Sequence, residues 1–295
     1  MKRHEWFRLL LLSFLWGGSF LFYRILATEL PPFSTVFSRV LIGGGAILLW
    51  LKARNTAVVI PRGLWGRLII LSLLNNVIPF TLFAWGETRV SGGTASILNA
   101  MTPMFVVLVS GLILRTEPLT SRRILGVLSG LAGVTALVGP DAILGADLLG
   151  QAACLLAALS YGFALPFGRT IKGLSPTVLA AAQLCTSTLV LLPLVLLFDQ
   201  PWTLAEPSAS TWGAVFGLGL LSTGVAYIIF FGLLATAGAT NLSLVTLLVP
   251  ISALMLGRLV LDEPITPSAI FGMVLIAIGL AAIDGRLFRR TAQAK

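Results

Sequence analysis

The chain is poor in the residues from which soluble enzymes build their sites: one histidine, two cysteines and eleven acidic residues in 295. The single histidine, His4, lies in the basic N-terminus, and one histidine cannot make a metal site. Cys154 and Cys185 both fall inside apolar segments, where a thiol acts as a small buried residue and says nothing of redox compartment. Charged residues make up 11% of the chain, against about 25% for a soluble domain. No P-loop pattern is present, so ATP drive within this chain is excluded. No nucleophile with a base and no buried acid pair can be picked out, which argues against an integral-membrane enzyme. No cofactor is expected.

What is abundant is apolar residues, 57% of the chain. Crossing the hydrocarbon takes roughly 20 of them per helix. The apolar runs predict ten spans, at 7–26, 34–51, 66–86, 94–114, 121–139, 148–168, 175–198, 211–233, 240–260 and 267–284. The first run follows a basic start but is too long for a signal-peptide core and lacks an Ala-x-Ala pattern behind it. Connections are short and marked by Pro, Gly or charge. Thr266-Pro267 is an N-cap with proline at the first helical position. The expected fold class is therefore an all-α polytopic membrane protein, with the lipid bilayer as its main partner.

The net charge of +9 sits at the ends of the apolar runs rather than along one face, so it is not a nucleic-acid footprint. With the N-terminus cytoplasmic, sixteen of the twenty Lys and Arg residues share its side. Arg24, Arg89 and Arg258 lie opposite, and Arg39 lies within a span. By the positive-inside rule both termini are cytoplasmic.

The stretch Ser91–Pro118 returns as Gly238–Pro264. Each copy carries an internal proline, Pro103 or Pro250, and closes on Glu-Pro, at Glu117-Pro118 or Glu263-Pro264. Laid over each other, the halves match Trp16-Gly17 with Tyr161-Gly162 at an offset of 145 and Arg39 with Gln183 at 144. Asn75-Asn76 falls on Ser222-Thr223, Phe80 on Tyr227, Asn99 on Thr246 and Pro103 on Pro250, all at 147. Five spans per half force the second half to enter from the opposite side. The halves, 1–143 and 144–286 with a basic tail at 287–295, are thus expected to be inverted repeats. Secondary transporters recur to that plan, with the site near the midplane.

These features together resemble the EamA-type members of the drug/metabolite transporter superfamily: the aromatic-Gly of each first helix, the Arg39/Gln183 pair, and the two proline helices ending in Glu-Pro. The resemblance covers essentially the whole chain. It implies a ten-helix fold and export of amino acids or related small metabolites from bacteria.

Trp6, Trp50, Trp65, Trp85, Trp202 and Trp212 lie near span ends, as an interfacial belt does. Trp16 is alone in mid-span, with Tyr161 and Tyr227 at comparable depth. These three, with Phe20, are candidates for a cavity wall, the alternative being ordinary helix packing. Asn75, Asn76, Asn99 and Thr102, with Ser222, Thr223, Asn241 and Thr246, form a polar set on spans three, four, eight and nine. A buried amide or hydroxyl there needs either another helix or a wet cavity. Arg39, the one clear charge within a span, costs roughly 2.5–3.5 kcal/mol to insert. It either meets a substrate carboxylate, or snorkels outward, or, like Gln183, bonds backbone carbonyls at a helix-packing seam. Pro103 and Pro250 are candidate hinges. Glu117 and Glu263 read as interfacial caps or partners of nearby Arg115 and Arg258. Gly126–Gly130 and Gly213–Gly217 are GxxxG pairs, expected to serve packing within a monomer. No carboxylate falls near a midplane, so no Asp/Glu proton relay is visible.

The expectation is an inner-membrane secondary transporter that exports a small zwitterionic metabolite, an amino acid foremost. The alternatives are a multidrug or lipophilic-metabolite efflux protein of the same fold, and a non-transporting membrane scaffold.

Overall fold

A computed structural model describes residues 2–138, 147–242 and 244–284. The basic tail at 287–295 lies outside the described residues, as does the Asn241 side chain. Among the described residues the regular structure is helical, without strands. Seven helices are long and apolar enough to cross a membrane by length and composition. They are α1 (Arg3–Leu26), α2 (Pro32–Ala53), α3 (Arg62–Gly86), α4 (Gly92–Ile113), α6 (Leu148–Gly168), α7 (Pro176–Asp199) and α8 (Ala209–Ala237). Between α4 and α6 lies α5 (Ser121–Val138), and α9 (Val245–Leu261) and α10 (Pro267–Asp284) close the chain. The 24 residues of α1 rise about 36 Å at about 1.5 Å each, enough for a hydrocarbon core of about 30 Å.

The ends follow local chemistry. Ser91, Ser175 and Ser208 each cap a helix by accepting the N–H of the residue three further on, which satisfies one orphan donor. Pro32 and Pro176 sit in the first turn, where no N–H is needed. Asn55, Arg115, Gln200 and Asp262 take left-handed backbone where helices stop.

Two boundaries differ from those the sequence suggests. The helical backbone of α8 runs on to Leu242, where the apolar runs predict spans ending at 233 and restarting at 240. Thr236 donates back to the Gly232 carbonyl at 3.1 Å, so its hydroxyl finds a partner inside the helix. The two proline helices also part company. α4 breaks at Ala100-Met101, just ahead of Pro103, while α9 runs unbroken through Pro250.

π-helical turns interrupt α3 at Leu73–Val77 and α8 at Gly217–Val225. Those stretches carry Asn75-Asn76 and Ser222-Thr223, 147 residues apart. Such turns leave a carbonyl short of its usual donor and recur at functional sites. Here the Thr223 hydroxyl donates to the Leu218 carbonyl at 2.9 Å and the Ser160 hydroxyl to that of Leu74 at 2.7 Å.

Glycines set the close approaches. A Cβ on Gly17 of α1 would lie 2.6 Å from that of Ser252 on α9, and one on Gly162 of α6 would lie 2.8 Å from that of Phe105 on α4. α5 meets α10 in antiparallel register: Gly126 faces the Gly279 carbonyl, Gly133 faces that of Gly272, and Ser129 donates to Leu275 at 2.8 Å. Gly126 and Gly130 thus pack within the chain, whereas Gly213 faces open space. The core is an apolar cluster running through all these helices. Phe7, Leu49, Leu189, Leu197 and Leu259 point outward and exposed, as a surface facing lipid does.

Candidate functional site

Arg39 organises the interior. It lies on α2 and is 6% exposed, so it does not snorkel. Its Nε donates to Thr223 Oγ1 at 2.9 Å and its Nη1 to the Tyr23 hydroxyl at 2.6 Å. The guanidinium lies over the Phe80 ring, 3.7 Å from the centroid. One cation thereby joins α1, α2, α3 and α8. A charge so desolvated is held by hydrogen bonds and a ring face in place of an acid.

Its repeat counterpart Gln183 does the corresponding work with amides. Asn75 donates to Gln183 Oε1 at 3.0 Å, Asn76 to Ser187 Oγ at 3.0 Å, and Ser72 to the Gln183 carbonyl at 3.1 Å. Asn76, Thr223 and Ser222 are buried, and Asn75 is half-buried. Ser222 Oγ donates to the Leu15 carbonyl at 2.6 Å. The polar set of α3 and α8 is therefore satisfied by neighbouring helices in this arrangement.

Asn99 and Thr102 bond to each other at 3.4 Å across the break in α4. Thr246, half-buried on α9, lines a water-sized cavity with Ile97, Ala100 and Pro250.

The aromatic candidates form two series. Trp16 packs on Phe230 at 5.4 Å between centroids, Phe230 on Phe231 at 5.1 Å, and Phe231 on Tyr227 at 6.0 Å. Phe20 meets Phe83 edge-on at 5.7 Å, and Phe83 stacks on Tyr161 at 6.4 Å. Tyr23, Tyr161 and Tyr227 all lie within the electrostatic reach of Arg39. The two series and Arg39 lie on α1, α2, α3, α6 and α8.

The Glu-Pro acids take partners other than those expected. Glu117 pairs with Arg123 at 2.9 Å and Arg169 at 3.3 Å, not with Arg115. Glu263 pairs with Arg24 at 3.7 Å, while Arg258 pairs with Asp262 at 3.8 Å. Glu263 also accepts the Gly92 N–H at the start of α4, whose far end runs into the segment bearing Glu117. The two acids thus mark opposite ends of the bundle. Sequence reading missed Tyr23, Phe83 and Ser187 as contacts of the site. It also missed Glu87, a buried carboxyl one residue beyond α3.

Comparison with known proteins adds to this geometry. The sequence pattern described as the EamA-like transporter family matches residues 6–139 and again 148–283. An uncharacterized transporter YoaV of Bacillus subtilis is 30% identical over 91% of this chain and 92% of its own. Protein PecM of Dickeya dadantii is 27% identical, covering 80% of this chain and 79% of its own. A protein of Chlamydia trachomatis named S-adenosylmethionine/S-adenosylhomocysteine transporter is 26% identical over 96% of this chain and 90% of its own. A solved crystal structure of another protein superposes with a TM-score of 0.70 over 99% of both chains at 20% identity, a likeness of fold alone.

Proposed function

Starting from the membership of this chain in the EamA-like transporter family of the drug/metabolite transporter superfamily, which makes it a multi-pass membrane transporter rather than an enzyme, we propose that it exports small zwitterionic metabolites, amino acids foremost, across the bacterial inner membrane. It works by alternating access. Its ten helices form two inverted five-helix halves, 1–143 and 144–286, with both termini cytoplasmic.

The observation that carries this reading is the paired interior. Arg39 and Gln183 are repeat counterparts on α2 and α7, bonded respectively to the π-helical turns of α8 and α3. The glycine contacts repeat in the same way, Gly17 against Ser252 and Gly162 against Phe105. The α5–α10 crossing pairs Gly126 with Gly279 and Gly133 with Gly272, as a two-fold axis in the membrane plane requires. Amides and hydroxyls beside an aromatic wall suit a solute with a charged amino-acid end and an apolar side chain. The Chlamydia relative is named for solutes that carry an amino-acid group.

In the cycle, Trp16, Phe20, Tyr161 and Tyr227 pack the apolar part of the solute. Asn75, Asn76, Asn99, Thr102, Thr223 and Thr246 exchange their present partners for its polar ends. Pro103 and Pro250 serve as hinges, with the break beside Pro103 the more yielding. Arg39 and Gln183 hold the helix seam.

The test is efflux of a labelled amino-acid panel from proteoliposomes. Movement of at least one amino acid is expected, with Trp16→Ala or Asn99→Ala lowering it at least about tenfold, the effect of about 1.4 kcal/mol. If no amino acid moves under any gradient, the substrate class is wrong. If both variants transport normally, the site is elsewhere. The run of rings from Trp16 to Tyr227 favours a second reading, efflux of a lipophilic metabolite, and a lipophilic-cation arm of the same assay separates the two.

A further inference from the structure

The side chain of Glu87 is 0% exposed, and neither carboxyl oxygen has a hydrogen-bond partner. It sits in the turn between α3 and α4, at the end of the bundle opposite the Glu117 cluster. Every other part of the residue is fixed. Its N–H donates to the Phe83 carbonyl at 2.9 Å, and its carbonyl accepts Arg24 Nη1 at 2.7 Å. Gly92 makes the space: a Cβ there would lie 3.3 Å from Glu87 Oε2 and 3.1 Å from the Phe20 carbonyl.

The groups facing the carboxyl come from four other elements. Arg24 and Tyr23 come from α1, Arg39 from α2, Cys154 from α6 and Glu263 from the segment after α9. Arg24 is turned to the Glu87 carbonyl and to Glu263, and Glu263 in turn holds the Gly92 N–H. The nearest cation is thus committed elsewhere. An ionised carboxylate shut from water without a donor is among the costliest groups to bury. Burial and the Glu263 carboxylate hold the Glu87 carboxyl well above the usual carboxylate range, against the opposing pull of Arg24 and Arg39.

We propose that Glu87 is a proton-binding site at the outer end of the transporter, taking one proton from the outer aqueous phase each time that end closes and releasing it when the end opens. The proposal rests on the transporter reading and its orientation. In the closed state the proton resides on a Glu87 oxygen. Opening parts Arg24, Glu263 and Gly92, water reaches the carboxyl, and it returns to about its ordinary value near 4.3. Opening therefore releases a proton. The open population grows as pH rises above the ordinary value towards the raised one, by at most about tenfold per pH unit.

Cys154 is a built-in reporter, since its Sγ lies 2.8 Å from where a Gly86 Cβ would be and it is buried. The experiment measures its modification by a membrane-impermeant thiol reagent outside intact spheroplasts, in a Cys185→Ser background, from about pH 5.5 to about pH 7.5. Dividing the rate by that of Glu87→Gln removes the part of the thiol's own pH dependence that does not come from Glu87. The ratio is expected to rise several-fold across the range, with Glu87→Gln closed throughout. Glu263→Gln removes the neighbouring negative charge and is expected to move the response to lower pH. A flat ratio, or a Glu87→Gln chain labelled as fast as the parent at the highest pH, overturns the proposal. So does an unmoved response in Glu263→Gln, which serves if Glu87→Gln does not insert. Because labelling needs no solute, a wrong substrate class leaves this result intact, and a failed gate leaves the efflux assay intact.

Discussion

Arg39 makes a demand on its neighbours that a neutral residue does not, because among the described residues the groups it touches are neutral. Tyr23→Phe removes the acceptor at 2.6 Å and Thr223→Val the one at 2.9 Å. Each is expected to lower stability by about 1.5–3 kcal/mol, the range for a hydrogen bond to a charged group. Arg39→Met removes the charge together with its needs and is expected to cost no more than either. Thermal unfolding in detergent checks the order, and a far larger loss for Arg39→Met would show that an apolar side chain cannot take over the seam that Arg39 holds. Of the two unusual charges, Arg39 stands out in the sequence because it interrupts an apolar run. Glu87 does not. It follows Gly86 in a short turn with Thr88 and Arg89, where a glutamate reads as solvated, and only the packing of α1, α4, α6 and the end of α9 buries it.

At the scale of the helix, spacing is set by glycines whose neighbours are backbone. A methyl on Gly17 would lie 2.9 Å from the Ala253 nitrogen as well as against Ser252, so side-chain adjustment alone cannot make room. Gly17→Ala is expected to cost about 1–3 kcal/mol by overpacking and to depress transport. Gly45→Ala, on an open part of α2 with nothing within 4 Å, is expected to gain about 0.5–1 kcal/mol. Melting curves of the two, side by side, decide whether close approach or helix propensity governs these positions. Helix positions were legible in the apolar runs, and several ends in Ser caps and prolines. The π-helical turns of α3 and α8 were not, since they depend on hydroxyls donated by Ser160 and Thr223 that sequence spacing does not reveal. The extension of α8 was hidden because Gly232, Thr236, Gly238 and Thr240 are weak helix formers.

For the whole molecule, charge decides orientation before any packing does. Reporter fusions at either end are expected to read cytoplasmic, and a periplasmic C-terminus would invert every assignment of inside and outside made above. The repeat was legible from matched strings such as Glu-Pro and aromatic-Gly. Which helix of one half meets which of the other was not, since nothing in a string of residues fixes a contact 145 positions away. Residues 1–143 expressed alone are expected to be degraded, and co-expression with 144–295 to restore both, as immunoblots of membranes will report. Survival of the first half alone at full abundance would contradict this.

The α5–α10 crossing bears on how the chain is made. Gly126, Ser129 and Gly133 of α5 present a bare backbone surface whose complement is Gly272, Leu275 and Gly279, on a helix made only after α6 to α9 have left the ribosome. For as long as synthesis of α6 to α10 takes, that surface of α5 is without the partner it meets in the folded chain. The first half cannot finish folding on its own schedule. It must wait for α10, and slow or stalled translation near residue 267 would leave a partly assembled chain exposed to membrane quality control.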